Sequence, residues 1–188
     1  MFKLLSTREV YRNPWIQVRE DQVIKPGGSP GIYGVVTMLP GSSVVAIGAN
    51  EEVYLVKEFK YAIGRFTIEL PSGGLDGDEP PLEAAKRELR EEAGLAARKW
   101  TDLGAVDPFT SAIHSPNYLF LAEELEEVGA QPDEGEVIER IQVPFPEAVE
   151  MVMNGEITHG ASCIAILKAA RLRHREGGRI EGSHARTG

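Results

Sequence analysis

Short runs in which apolar residues alternate with polar ones occupy most of the first seventy positions, and this pattern predicts β-strands. The predicted strands lie at 15–24, 32–39, 44–49, 53–59 and 65–70. The segment KPGGSPG separates the first two of them, and clustered glycine and proline are typical of a turn. We therefore expect two hairpins, one on each side of residue 40, followed by a fifth short strand.

A helical pattern replaces the alternation at residues 81–93. Pro80 and Pro81 suit the first turn of a helix, where no amide donor is lost, and Gly94 suits the position just after its end. At about 3.6 residues per turn, the apolar residues of this segment share one narrow face. The members of that face are Leu82, Ala85, Leu89 and Ala93. We expect this face to pack on the sheet.

The remainder of the chain shows three further strand patterns and two further helix patterns. The strands are expected at about 98–106, 117–125 and 137–144, and the helices at about 145–154 and 160–174. Strands and helices mixed in this way predict an α/β (α+β) fold with a mixed sheet between helices.

Three parts are expected along the chain. A small β appendage occupies residues 1–40, the main domain occupies 41–175, and a glycine-rich, mobile tail occupies 176–188. Hairpins with exposed edges often pair with another chain, so we expect the appendage to form a homodimer.

Composition narrows the class of protein. The 188 residues are 42% hydrophobic and 26% charged, as in a globular domain. A formal net charge of −9 argues against a nucleic-acid or anionic-membrane surface, yet an anionic substrate held through a divalent cation is compatible with it. One cysteine, no secretory pattern and no apolar stretch near the roughly 20 residues that cross a bilayer predict a cytoplasmic protein.

The predicted helix at 81–93 crowds carboxylates together. Glu88 and Glu92 fall on one flank of its apolar face, with Glu91 beside them. Partly buried carboxylates at close range either raise one another's pKa or hold a cation. A set of oxygen ligands suits Mg²⁺ or Mn²⁺ better than Zn²⁺. A solvated helix covered with surface ion pairs is the alternative interpretation.

The arginines of the helix decide between these two interpretations. Helical geometry places Arg87 and Arg90 on the far side, where Arg87 pairs with Glu83 at i,i+4. No base then shares the stripe of carboxylates, and this favours a bound cation. The glycine turn at 71–74 lets backbone approach a ligand, and we expect the Ser72 carbonyl to join the metal ligands.

Residues 73–95 resemble the Nudix box, in which Gly, Glu, Arg-Glu, an aliphatic residue, Glu-Glu, Gly and a second aliphatic residue recur in fixed register. The matching residues are Gly73, Glu79, Arg87, Glu88, Leu89, Glu91, Glu92, Gly94 and Leu95. The resemblance implies an α/β/α sandwich that hydrolyses nucleoside diphosphates linked to another moiety. It also implies Mg²⁺, with Mn²⁺ as a substitute, held mainly by Glu88 and Glu92 and shared by Glu91. Gly73, Glu79, Arg87 and Gly94 would have structural roles, Arg87 by pairing with a box carboxylate.

Residues from about 8 to 174 resemble one branch of that family, the ADP-ribose pyrophosphatases. The similarity rests on VYRNPWIQVREDQV, VYLVKEFKYAIGRFTIELPSGGLD and GEITHGASCIAILKAARL. It implies conversion of ADP-ribose to AMP and ribose 5-phosphate, and a dimer whose swapped N-terminal β domains lend residues to the partner's active site. A glutamate of the segment PDEGEVIE would complete the metal cluster or act as the base. Glu136, Glu134 and Glu91 are thus the candidate catalytic carboxylates, Glu136 being the first choice and also a candidate metal ligand.

Substrate-binding residues are expected in several segments of the chain. The candidates are Arg19, Tyr33, Lys57, Lys60, Phe109 and His114, with Trp15 as a further aromatic that a base could stack on.

The chain departs from the ADP-ribose pyrophosphatase branch at two places. That branch has a proline about 15–16 residues beyond the box, where this chain has Thr110 and Ser111. It also has a pair of arginines, which Lys57 and Lys60 replace in this chain. Because lysine offers a point charge and not a planar fork, FAD, NADH and nucleotide sugars stay open beside ADP-ribose. A non-catalytic nucleotide-binding module is the other alternative. Neither His114 nor His159 has partners at metal-ligand spacing.

Overall fold

The computed structural model describes residues 1–130 and 137–183, with side chains described as far as residue 175. The strands are β1 (Lys3–Arg12), β2 (Ile16–Ile24), β3 (Pro30–Met38), β4 (Gly41–Ile47), β5 (Glu52–Lys60), β6 (Arg65–Glu69), β7 (Ser72–Gly74), β8 (Leu95–Val106), β9 (Ile113–His114), β10 (Asn117–Glu127) and β11 (Glu139–Pro144). The helices are α1 (Pro81–Ala93), α2 (Phe145–Met153) and α3 (Gly160–Ser183). The predicted α/β class with a mixed sheet is confirmed.

Two sheets are present in the described part of the chain. The first has the strand order β1-β2-β3-β9 and is antiparallel except for the short β3–β9 pair. The second has the order β11-β5-β4-β10-β8, with β6 paired to β5 and β7 paired to β4. The β4–β10 pair is parallel and its neighbours are antiparallel, so this sheet is mixed.

Helices cover both faces of the second sheet. Along β4, Val44 packs in the cluster that contains Ala85 and Leu89 of α1, whereas Val45 packs in the cluster that contains Ile166 of α3. Successive strand residues point to opposite faces, so a continuous apolar run is what a doubly covered strand requires. The result is the predicted sandwich of a sheet between helices.

The structure contains three strands that were not predicted, β1, β7 and β9, and several element boundaries differ from the prediction. Strand β1 was not predicted, because all ten of its residues are exposed and it therefore lacks the alternation that a buried face imposes. Strand β8 begins three residues earlier than expected, and β11 two residues later. Helix α3 continues to Ser183, beyond the predicted end at residue 174. Of the proposed tail, residues 184–188 lie outside the described residues. No helix within the described residues is both long and apolar enough to span a bilayer.

Candidate active site

Two connected cavities lie where β7 and α1 meet the first sheet. The acidic cleft, of about 400 Å³, is lined by Glu58, Asp76, Arg87, Glu88, Glu91 and Glu92 among others. The adjoining cavity, of about 680 Å³, has largely apolar walls that include Met38, Ala62, Ile63, Pro108 and Ile113. Six residues line both: Trp15, Leu39, Lys60, Ser72, Gly73 and Gly74. A ligand that fills one cavity can therefore extend into the other.

Helix α1 presents the glutamates because its apolar residues are fixed on the sheet. Ala85, Leu89 and Ala93 are fully buried, as predicted. Glu88 and Glu92 flank this face and are each only 8% exposed. Carboxylates so close to a core need partners, since burying an uncompensated charge is costly.

The C-terminal end of α1 is tied to the chain on both sides of residues 131–136. Gly94 has a left-handed backbone, φ 69°, as the end of a helix favours. Its carbonyl accepts hydrogen bonds from the amides of Val128 (2.8 Å) and Gly129 (3.2 Å). The carbonyl of Ala93 accepts a hydrogen bond from Arg140, at 2.8 Å, in β11. The predicted Glu134 and Glu136 belong to residues 131–136 and lie outside the described residues.

Strand β7 brings backbone against two of the carboxylates. The amide of Ser72 donates to Glu92 Oε2 at 2.7 Å. A Cβ placed on Gly73 would lie 2.2 Å from Glu88 Oε1 and 2.4 Å from its Cδ, which is closer than any real contact. Glycine is therefore required here for the Glu88 carboxylate to lie against the strand. Ser72 makes this contact through its amide, so its carbonyl as a metal ligand stays a prediction.

Arg87 joins the carboxylates to one another. Its Nη1 lies 2.7 Å from Glu88 Oε1 and 3.1 Å from Glu91 Oε2. Its Nη2 donates to the Gly74 carbonyl at 2.8 Å and to Glu79 Oε2 at 3.0 Å. The pKa of Glu79 is lowered, chiefly by the hydrogen bond from Arg87, although desolvation opposes the shift. The pairing of Arg87 with box carboxylates is confirmed.

The prediction that Arg87 turns away from the carboxylates and pairs with Glu83 is wrong. Glu83 is instead bonded to Lys86, at 2.8 Å. The Cβ direction of Arg87 is the one that helical geometry gives, but the long stem carries the guanidinium across to its neighbours. Arg90 is exposed, as predicted.

Replacing Arg87 by alanine is expected to lower the free energy of unfolding by about 1.5–3 kcal/mol, because several partly buried charged groups lose their hydrogen bonds. The pKa of Glu79 is lowered in the folded protein, so its pairing with Arg87 stabilises the fold at pH values above the ordinary pKa of glutamate. This stabilisation is lost as the pH falls through the lowered pKa. The difference between wild type and Arg87→Ala should therefore narrow below about pH 4. Urea unfolding at several pH values measures this. Arg90→Ala is the control and is expected to change stability by no more than about 0.5 kcal/mol.

The donor chemistry of the cleft fits a hard divalent cation. Three glutamates and the backbone oxygens of β7 are all oxygen ligands, and Gly73 leaves the space in which one carboxylate lies. Within the described residues, no three acidic, histidine or cysteine side chains already converge as a complete metal site. Arg87 supplies the positive charge between two of the carboxylates instead.

Only one of the predicted substrate-binding lysines lies in the cleft. Lys60 lines both cavities and is paired with Glu58. Desolvation lowers the pKa of Lys60, but the hydrogen bond to Glu58 and the charges of Glu69 and Glu92 raise it overall, so the group is a cation. Lys57 lines neither cavity; it lies 3.4 Å from Glu139 and over the ring of Phe66.

The other candidates are spread around the cavities. Trp15 lines both of them. Tyr33 and His114 line a separate pocket of about 300 Å³, where the Tyr33 hydroxyl donates to the Ser111 carbonyl at 2.5 Å. Arg19 is paired with Asp21 at 3.2 Å. Phe109 is 61% exposed and lines none of these cavities. For Arg19, Tyr33, Phe109 and His114, contact with substrate therefore stays a prediction.

A group of polar side chains in the wall of the adjoining cavity was not predicted from the sequence. It consists of Thr67 and Glu69 on β6 with His159 and Ser162 at the start of α3. The pKa of His159 is lowered, chiefly by burial. The charge of Glu69 opposes this shift, and the charge of Lys60 adds to it. Glu69 is visible in the sequence just before the glycine turn, but its partners are some ninety residues away, and no local pattern connects them.

Family comparisons agree with this geometry. Residues 2–36 match the nucleoside diphosphate sugar hydrolase N-terminal domain, and residues 38–160 match the NUDIX domain. An ADP-ribose pyrophosphatase of Mycobacterium tuberculosis is 32% identical and aligns over 88% of this chain and 82% of its own length. One of Bacillus subtilis is 28% identical over 87% and 90%. A crystal structure of an ADP compounds hydrolase has a TM-score of 0.81 at 20% identity, covering 94% of this chain and 96% of that one, and so shares the fold. The chain belongs to the Nudix family and is a Nudix pyrophosphohydrolase.

Proposed function

We propose that the protein hydrolyses the diphosphate bond of ADP-ribose to give AMP and ribose 5-phosphate, using a divalent cation. The observation that carries this proposal is that Glu88, Glu91, Glu92 and the glycine strand line one cleft, which opens into a larger, largely apolar cavity. The names of the relatives from Mycobacterium tuberculosis and Bacillus subtilis support the choice of substrate.

The cleft divides the work of binding between charge and apolar surface. Glu88, Glu91 and Glu92, with the Ser72 carbonyl, would hold Mg²⁺ or Mn²⁺. When bound, the cation neutralises the diphosphate and acidifies water. Lys60 adds a positive charge beside that position. The adjoining cavity takes one of the two groups attached to the diphosphate.

Two residues of the chain have proposed roles beyond holding a cation. Glu136 or, second, Glu134 takes the proton of the attacking water, a contribution of order 10²–10⁴ in rate. The bonds that Gly129 and Arg140, on either side of this segment in the sequence, make to the C-terminal end of α1 support the assignment. Trp15 lines both cavities and offers an apolar face for a base.

A substrate panel tests the function. ADP-ribose, nucleotide sugars, NADH and FAD are each incubated with Mg²⁺ or Mn²⁺, and the products are identified by mass spectrometry. We expect AMP and ribose 5-phosphate to form fastest from ADP-ribose, and a chelator to abolish turnover. Faster cleavage of FAD, NADH or a nucleotide sugar would reassign the substrate. Binding of ADP-ribose without release of AMP would identify a binding module instead.

We also propose a cytoplasmic homodimer formed through the first sheet. Strand β1 lies at the edge of that sheet, and apolar residues such as Leu4, Leu5 and Val10 are more than half exposed. An exposed apolar edge strand is a template for pairing with a second chain. Light scattering is expected to give twice the mass of the chain, and a monomer at micromolar concentration would contradict the proposal.

A further inference from the structure

Four polar side chains form a connected cluster in a wall of the adjoining cavity, which we call the His159 cluster: Thr67, Glu69, His159 and Ser162. Thr67, Glu69 and His159 line the cavity, whereas Ser162 is fully buried behind them. The surrounding walls are largely apolar. Burying polar groups in such a wall costs free energy unless the groups form hydrogen bonds with one another.

Glu69 is the centre of the cluster. Its carboxylate is 9% exposed; Oε1 accepts a hydrogen bond from the Thr67 hydroxyl at 2.7 Å, and Oε2 lies 3.3 Å from His159 Nδ1. Nδ1 also lies 2.9 Å from the Ser162 hydroxyl, which in turn accepts the amide hydrogen of Leu70 at 2.9 Å. The imidazole of His159 is therefore held on one edge by β6 and α3 together.

The Glu69 carboxylate and the Ser162 hydroxyl both contact Nδ1 of His159, and the hydroxyl can accept as well as donate a hydrogen bond. A carboxylate beside Nδ1 favours the tautomer in which Nδ1–H donates to it. In the neutral ring the opposite nitrogen, Nε2, then has a lone pair and acts as an acceptor. The side chain is 31% exposed and lines the cavity, and its Nδ1 is engaged by Glu69 and Ser162, so Nε2 is the nitrogen left to bind a ligand.

We propose that Nε2 of His159 accepts a hydrogen bond from a hydroxyl group of the terminal ribose, the sugar that is released as ribose 5-phosphate. Glu69 is the positioning residue of His159. This inference rests on the proposed function, and it assigns the adjoining cavity to the sugar. A phosphate oxygen cannot donate to an acceptor nitrogen, whereas a hydroxyl can. The charges of Lys60 and Glu69 act on the ring. The contact between Glu69 and Nδ1 holds the ring in its orientation.

Replacing His159 by asparagine or by glutamine tests the two ring nitrogens separately. In His159→Asn the amide replaces Nδ1 and keeps the contact with Glu69, but nothing reaches the position of Nε2. In His159→Gln an amide oxygen reaches that position. We expect His159→Asn to raise KM for ADP-ribose about five- to tenfold, the effect of one lost hydrogen bond, with kcat changed less than about twofold. His159→Gln should lie closer to the wild type.

Glu69→Gln tests the positioning role without removing the histidine. Its amide can donate to Nδ1, which moves the ring proton to Nε2 and turns an acceptor into a donor. We expect KM for ADP-ribose to rise as in His159→Asn, with the same small change in kcat. His174, an exposed histidine of α3, supplies the matched control, and His174→Asn is expected to leave both constants unchanged. Thermal unfolding of each variant checks that it is folded.

Two further substrates locate the hydroxyl. In β-methyl ADP a methyl group replaces the terminal ribose, and the adenosine is unchanged. In IDP-ribose the terminal ribose is present, but the base lacks its amine. The proposal predicts that His159→Asn impairs ADP-ribose and IDP-ribose equally and leaves β-methyl ADP unaffected. Impairment of ADP-ribose and β-methyl ADP but not IDP-ribose would place the base there and overturn the proposal, as would equal impairment of all three or none. If wild type cleaves none of them with Mg²⁺ or Mn²⁺, the proposed function itself fails.

Discussion

Replacing Glu92 by glutamine should lower kcat/KM for ADP-ribose by about 10²- to 10³-fold at saturating Mg²⁺, since the cation that Glu92 would hold supplies several kcal/mol of charge stabilisation. The change removes one negative charge, which also acts on Lys60. Glutamine has the same shape, and its amide oxygen can still accept the hydrogen bond that Glu92 receives from the Ser72 amide. Helix α1 should therefore remain folded, and the loss of activity should be accompanied by weaker binding of Mg²⁺ or Mn²⁺ in a titration.

A glutamate on the other side of the same helix is the control for this experiment. Glu83 is exposed and bonded to Lys86 on the surface. Glu83→Gln carries the same change of charge, and we expect its activity to stay within about twofold of wild type, as for surface substitutions in general. Near-normal turnover by Glu92→Gln would show that the acidic cleft does not hold the cation.

Replacing Gly73 by alanine should reduce activity about 10²-fold while lowering the melting temperature only slightly. The new methyl group would fall within 2.6 Å of all three atoms of the Glu88 carboxylate. The carboxylate is the end of a flexible side chain, so it can move, but it then leaves the position against β7. A displacement of about 1 Å in a catalytic arrangement is enough for a loss of this size.

Steady-state kinetics and differential scanning calorimetry on the same preparation measure the two effects of Gly73→Ala. Gly27 provides the control, since a Cβ there would meet no atom within 4 Å and its φ is not in the left-handed region. Gly27→Ala should change neither activity nor melting temperature appreciably. If Gly73→Ala unfolds the protein, or if its kcat/KM equals that of wild type, the assigned role of this glycine is wrong.

Helix α1 and its glutamates could be predicted from the sequence because their signals are local. Prolines precede the helix, Gly94 ends it, and an apolar face with a period of about 3.6 residues lies between. The same regularity placed Glu88 and Glu92 beside the core, where the structure has them. The sandwich followed from the order of strand and helix patterns.

The features that could not be predicted depend on side-chain reach or on distant parts of the chain. The path of Arg87 is determined by a long, flexible side chain, and helical geometry fixes only where that side chain begins. The His159 cluster joins two segments about ninety residues apart. Strand β1 is exposed along its whole length, so no buried face imposes a pattern on it.

The ties between the C-terminal end of α1 and the chain on either side of residues 131–136 have a consequence for engineering. The Gly94 carbonyl is bonded to Val128 and Gly129, and the Ala93 carbonyl to Arg140 of β11, so the end of the helix is held by two separate segments. A library of variants aimed at a new leaving group should therefore keep Val128, Gly129 and Arg140 unchanged, so that the glutamates in the last turn of α1 stay in place.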